Sequence, residues 1–126
     1  MAYVEPSTAG NRSVDTLGDI RRRNGSGTWR VPVIASKHNR VLLYQWAPGT
    51  SSDAHSHPEA DEVFVLHEGQ ATFTLGEGHV VHATAGSIVY VPSGQLHTLT
   101  ATGDRPLLMM IVVSPNAPND AIAGGA

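Results

Sequence analysis

From Thr28 onward the chain alternates between short apolar runs and turn signals. The runs are Trp29–Ile34, Val41–Trp46, Glu62–Leu66, Ala71–Leu75, His79–Ala83, Ser87–Val91, His97–Thr102 and Leu107–Val113. Each has the length of a strand and none continues into a helical period. They are separated by Ala47-Pro48-Gly49, Glu68-Gly69, Gly76-Glu77-Gly78, Ala85-Gly86, Pro92-Ser93-Gly94 and Thr102-Gly103-Asp104. Gly-Glu-Gly between two runs predicts a hairpin. Eight short strands predict an all-β fold, an antiparallel barrel or jelly roll. Before Thr28 the chain is polar, with one short helix expected near Thr16 to Arg23, capped by Thr16 with Asp19 three residues on. This divides the chain into an N-terminal arm (1–27), one barrel domain (28–114) and a C-terminal tail (115–126).

Several runs are apolar on both faces. Val63 and Val65 alternate with Phe64 and Leu66, and Ile88 and Tyr90 with Val89 and Val91. One face lines the barrel and the other needs a second cover. A homodimer is expected, with Trp29–Ile34 and the doubly apolar strands at the contact and Trp46 in the core.

Composition narrows the function. A chain of 126 residues supports one core. A net charge of −3 disfavours a nucleic-acid surface, and Arg21-Arg22-Arg23 reads as a solvated face. With no cysteine there is no disulfide, thiolate nucleophile or Cys-based zinc site. Met1 to Pro6 show no signal-peptide pattern, and the longest apolar run, Leu107 to Val113, is far short of the roughly 20 residues that span a bilayer. The expectation is a cytoplasmic protein bound to neither membrane nor nucleic acid.

The histidines carry the chemistry. His55 and His57 are two apart, so in an extended segment both rings share a face. Glu62 follows after the bend at Pro58, and His97 follows the turn Pro92-Ser93-Gly94. Three imidazoles and a carboxylate suit one divalent ion: Mn, Fe, Co, Ni, Cu or Zn. On its own, His-x-His is weak evidence for a metal and more often marks a pair of solvated loop histidines.

The wider pattern adds to this. Gly49, five residues, His55-x-His57, four residues, Glu62, six residues, Gly69 resembles the first cupin motif. Gly86, five residues, Pro92-x-Gly94, two residues, His97 resembles the second. The resemblance covers residues 41–113. It implies a double-stranded β-helix, or jelly-roll barrel, with His55, His57, Glu62 and His97 as metal ligands. One position departs: Ala101 stands where the second motif usually has Asn, which removes a polar group lower in the barrel. His38, His67, His79 and His82 read as surface or strand residues. Asp53, Glu59 and Asp61 read as loop carboxylates, one of which could support a ligand.

Strand parity from the ligands places Phe64 and Leu66 on the face of Glu62 and Leu99 on that of His97. Phe73 and Met109 or Met110 are expected to join them in a substrate pocket, with Tyr44 or Gln45 supplying a polar group. Three neutral His and one Glu⁻ leave a bound divalent ion near +1, with open positions if it is octahedral. No Lys or Arg occurs between Arg40 and Arg105, so a mostly uncharged, oxygen-rich small molecule is expected. Arg30 and Arg21–Arg23 are the cations that could still reach the mouth. Cupins include dioxygenases, isomerases, cyclases and non-catalytic binders. A metal-dependent enzyme is the leading expectation, and a metal-containing binding or sensing module the alternative.

Overall fold

The computed structural model describes residues 10–116 and 121–122. Helix α1 (Leu17–Asn24) is followed by strands β1 (Trp29–Ala35), β2 (Arg40–Trp46), β3 (His55–Ser56), β4 (Asp61–Glu68), β5 (Gln70–Leu75), β6 (His79–Thr84), β7 (Ile88–Val91), β8 (His97–Thr102), β9 (Leu107–Ser114) and β10 (Ala121–Ile122). Two five-stranded sheets form, β1-β2-β9-β4-β7 and β10-β3-β8-β5-β6. Every pairing is antiparallel. The fold is all-β apart from the one short helix.

Alternation along the strands builds the core. Leu42, Tyr44 and Trp46 of β2, Phe64 and Leu66 of β4 and Met109, Ile111 and Val113 of β9 point inward. They meet Ala71 and Phe73 of β5 and Leu99 and Ala101 of β8. Phe64 and Phe73 pack edge to face with ring centres 5.0 Å apart. This is a favoured aromatic arrangement that joins the two sheets. Ala101 is 1% exposed, so at this position the core is apolar. Its backbone N–H donates to Thr50 O (2.8 Å) and its carbonyl accepts from Gly49 N (2.8 Å). Main-chain bonds therefore tether the Gly49 turn here without an Asn side chain.

The opposite side of the first sheet carries a second cluster: Leu43, Leu108 and Ile20, with Trp29, Val31, Val33 and Met110 against them. Thr16 caps α1, its Oγ1 accepting from Asp19 N at 3.0 Å, as the sequence predicts. The helix presses Ile20 onto the sheet, so the chain itself covers part of the outward apolar surface.

Two irregularities shape the first sheet. Pro32 cannot donate to a ladder, and the β1–β2 register shifts between Pro32 and Ile34, a bulge tolerated on an edge strand. The β4–β9 register shifts between Leu66 and Glu68. Just beyond it Gly69 has φ +81°. A Cβ there would strike the Pro106 carbonyl and come within 2.9 Å of Leu107 Cα, so only glycine fits.

Candidate metal centre

Three strands and the residue just after β3, His57, bring four side chains to one point. β3 and β8 pair with His55 opposite His97, and β4 brings Glu62 from the facing sheet. The second turn fixes the first: Gly94 N donates to His57 O at 2.9 Å, and Ser93 N donates to Asp61 Oδ1 at 2.9 Å. Asp61 is thus a brace between the two motif segments. One ligand atom from each of His55, His57, Glu62 and His97 lies within 4.8 Å of the others. Ring centres are 4.3 Å apart for His55–His97, 5.1 Å for His55–His57 and 5.5 Å for His57–His97. His57, Glu62 and His97 are buried and His55 is half-buried. Among the described residues His38, His67, His79 and His82 stand apart from this group, and His82 Nδ1 lies 3.0 Å from Thr72 Oγ1.

The donor chemistry fits a cation. His55 Nδ1 is 2.7 Å from Asp53 O, and His97 Nδ1 is 3.0 Å from Gln95 O. A carbonyl only accepts, so each Nδ1 carries a proton and each Nε2 turns its lone pair inward. His97 Nε2 lies 2.8 Å, and His57 Nε2 3.0 Å, from Glu62 Oε1. A lone pair facing a carboxylate oxygen at that distance needs a positive species with them, either a proton or a metal ion. Burial alone would raise the Glu62 carboxyl, but hydrogen bonds from His57 and His97 bring it down to about 2. His55 is pushed down to about 4, chiefly by burial, so at neutral pH it is neutral and its Nε2 lone pair is free to coordinate. The group could hold one divalent ion.

The quartet opens on a cavity of about 300 Å³. His55 and Glu62 line it, with Phe64, Leu99, Ile111 and Trp46 as apolar wall and Tyr44, Ser51, Ser52, Asp53 and Arg30 as polar wall. Of the residues the sequence proposes for a pocket, Tyr44, Phe64 and Leu99 face this space. Leu66, Phe73 and Met109 are buried in the core beyond it. Met110 packs in the outer cluster. Gln45 points to the helix side, accepting from Arg21 Nε at 3.0 Å and donating to Gly27 O at 2.9 Å. Ser51 and Ser52 lie in a loop zipped to β8, with Ser52 N donating to Leu99 O at 2.9 Å. That pairing is visible in sequence only as the segment after Gly49. Arg30 is next to Tyr44 across β1–β2.

This pair of antiparallel sheets, with a buried quartet of three histidines and one glutamate that could hold a metal ion, defines a class. A family model described as Cupin domain matches residues 42–113, and the chain belongs to the cupin family. It is 28% identical over 97 residues to an oxalate-binding protein of Thermotoga maritima, covering 72% of this chain and 79% of that one. Its fold is similar to an uncharacterized double-stranded β-helix protein of Klebsiella pneumoniae (TM-score 0.77, 24% identity, 88% of this chain and 96% of that one). It also resembles an oxalate decarboxylase (TM-score 0.65, 25% identity), covering 78% of this chain and 28% of that chain.

Proposed function

We propose that the chain is a divalent-metal-dependent cupin enzyme acting on a small oxygen-rich molecule held at the ion through adjacent oxygens. The observation that carries this is the shared lining: two members of the quartet, His55 and Glu62, form part of the wall of a cavity that is partly open to solvent, so an ion there would be reachable by a ligand. When bound, the ion supplies Lewis-acid or redox chemistry. The protein supplies the rest. Phe64, Leu99 and Ile111 exclude water, and the hydroxyls of Ser51 and Ser52 offer hydrogen bonds. Burial pushes the Tyr44 phenol up to about 12, so it stays protonated and donates at neutral pH.

A relative named for binding oxalate, a compact molecule with adjacent oxygens, supports this ligand geometry and also the second reading, a binding module without turnover. Calorimetry on metal-loaded protein with oxalate, acetylacetone and hydroxyacetone tests binding. An oxygen electrode and product analysis then separate the two readings. Saturable binding with product formation supports the enzyme, binding without turnover the module, and no binding by any of the three overturns both.

We further propose a two-fold homodimer through the outer face of the first sheet. Ile34, Val41, Val112, Val63 and Tyr90 form one cross-strand row, and Val31, Leu43, Met110, Val65 and Ile88 the next. No charged side chain interrupts either row, while Ile88 is 71% and Tyr90 55% exposed. Such a face suits a self-complementary contact.

A further inference from the structure

The structure assigns Arg30 and Tyr44 as a carboxylate anchor in this cavity, so the ligand is a short monocarboxylate with a neighbouring hydroxyl or keto oxygen. This rests on the reading of the quartet as a metal centre and names the ligand class.

The motif-bearing stretch contains no Lys or Arg, which by itself favours an uncharged ligand. Arg30 comes from outside that stretch. It sits on edge strand β1, whose Trp29, Val31 and Val33 turn to the outer cluster, so strand alternation sends Arg30 the other way. Its guanidinium carbon is 5.8 Å from the centre of the Tyr44 ring, and both residues line the cavity with Glu62. The other arginines named in the arm are engaged elsewhere: Arg21 with Glu68, Arg22 with Asp19 and Arg23 with Asp15. Among the described residues no carboxylate forms an ion pair with Arg30.

A guanidinium on a cavity wall beside a phenolic donor presents the fork that matches a carboxylate. The ion takes the neighbouring oxygen. Among the described residues Arg30 is the one Lys or Arg in the lining, and Asp53 shares the polar wall. A second free anionic group, such as a phosphate dianion, would therefore face a carboxylate with no cation to match it. Trp46, Phe64 and Leu99 leave the remaining space to a small apolar body.

The test compares lactate with hydroxyacetone, which differ chiefly in the carboxylate. Both are titrated calorimetrically into metal-loaded wild type, Arg30→Gln and Arg30→Lys, with metal content checked in each. The expected result is a loss of about 10- to 100-fold in lactate affinity in Arg30→Gln, partial recovery in Arg30→Lys, and hydroxyacetone binding and metal content unchanged. Equal effects on both ligands, or none on either, would overturn the assignment. If the wild type takes up no stoichiometric metal, the metal reading fails instead. The anchor is then judged on metal-free protein, where lactate binding independent of Arg30, or absent, overturns it.

Discussion

The two faces of the first sheet are made by the same strands and have opposite fates. Inward, Tyr44, Trp46, Glu62, Phe64 and Ile111 combine a packed wall with a carboxylate that is 0% exposed. Such a group is tolerable only with a positive partner. Outward, Leu43 and Leu108 are closed over by Ile20 of α1, while Val41, Val63, Val65 and Val112 remain half-covered. The inner face is packed around a buried quartet that could hold an ion. The outer face is finished by its own chain at one end and left apolar at the other. Polar groups are therefore meaningful inward, where each needs an answer, and apolar groups outward, where they lack one.

The sharpest test of the inner face is removal of its donors. The His57→Ala, His97→Ala double variant should lose stoichiometric metal by elemental analysis while retaining the strand signal of the wild type in circular dichroism. Full metal content in that variant would place the ion elsewhere. Acid should act on the other two members of the quartet. In the metal-free protein His55 is held at about 4 against an ordinary 6.5, and Glu62 at about 2 against 4.5. Between each pair of values the unfolded chain binds more protons than the folded one, so stability falls as pH drops through 6.5 to 4 and again through 4.5 to 2. The urea midpoint should be lower at pH 4 than at pH 7. An unchanged or higher midpoint would mean that these groups are not buried as described.

Packing separates the faces next. Phe64→Ala removes a fully buried ring that touches both Phe73 and the His97 side and should cost about 3–5 kcal/mol. Ile20→Ala, which uncovers the outer cluster only, should cost less, about 2 kcal/mol, and leave metal content intact. Chemical denaturation of both variants checks this, and a larger loss for Ile20 would make α1 part of the main core.

These outcomes depend on features that were unequally legible in the sequence. The eight longer strands were readable because apolar alternation has a period, and the observed strands match those runs at β8, extend them by one to three residues elsewhere and, at β7, trim one. β3 and β10 were not, because two residues have no period and pair only through their neighbours. The quartet was readable because its members follow turns at fixed spacing. The cavity wall was half readable: parity tells which face a side chain takes, not how far along the barrel it lies. Leu66 and Met109 share the face of Phe64 and Ile111 but sit one rung farther along, outside the cavity lining. Tyr44 and Gln45 could not be told apart without the β2–β9 register. The outer face was recognised as apolar, but nothing in the pattern announced that α1 would fold over one end of it.

On the open end of the outer face, Val65→Asp places a carboxylate in the row Met110–Val65–Ile88. Wild type should sediment at about twice the 13.3 kDa chain mass at micromolar concentration. The variant should sediment as a monomer with metal content unchanged. A monomeric wild type would end the dimer proposal.

The smallest expected effect lies where the chain covers itself. Thr16 Oγ1 satisfies Asp19 N at the start of α1, one of the otherwise orphaned N–H groups of the first turn. Thr16→Ala should cost about 1 kcal/mol. Because the helix is only eight residues long, it has little stability of its own and depends on Ile20 docking. The loss should therefore appear as faster amide exchange in α1 and, through Ile20, at Leu43 and Leu108, with protection at Phe64 and His97 unchanged. If exchange rises equally on both faces, the helix and the barrel unfold as one unit. The outer cover would then be as much a part of the fold as the wall around the metal centre.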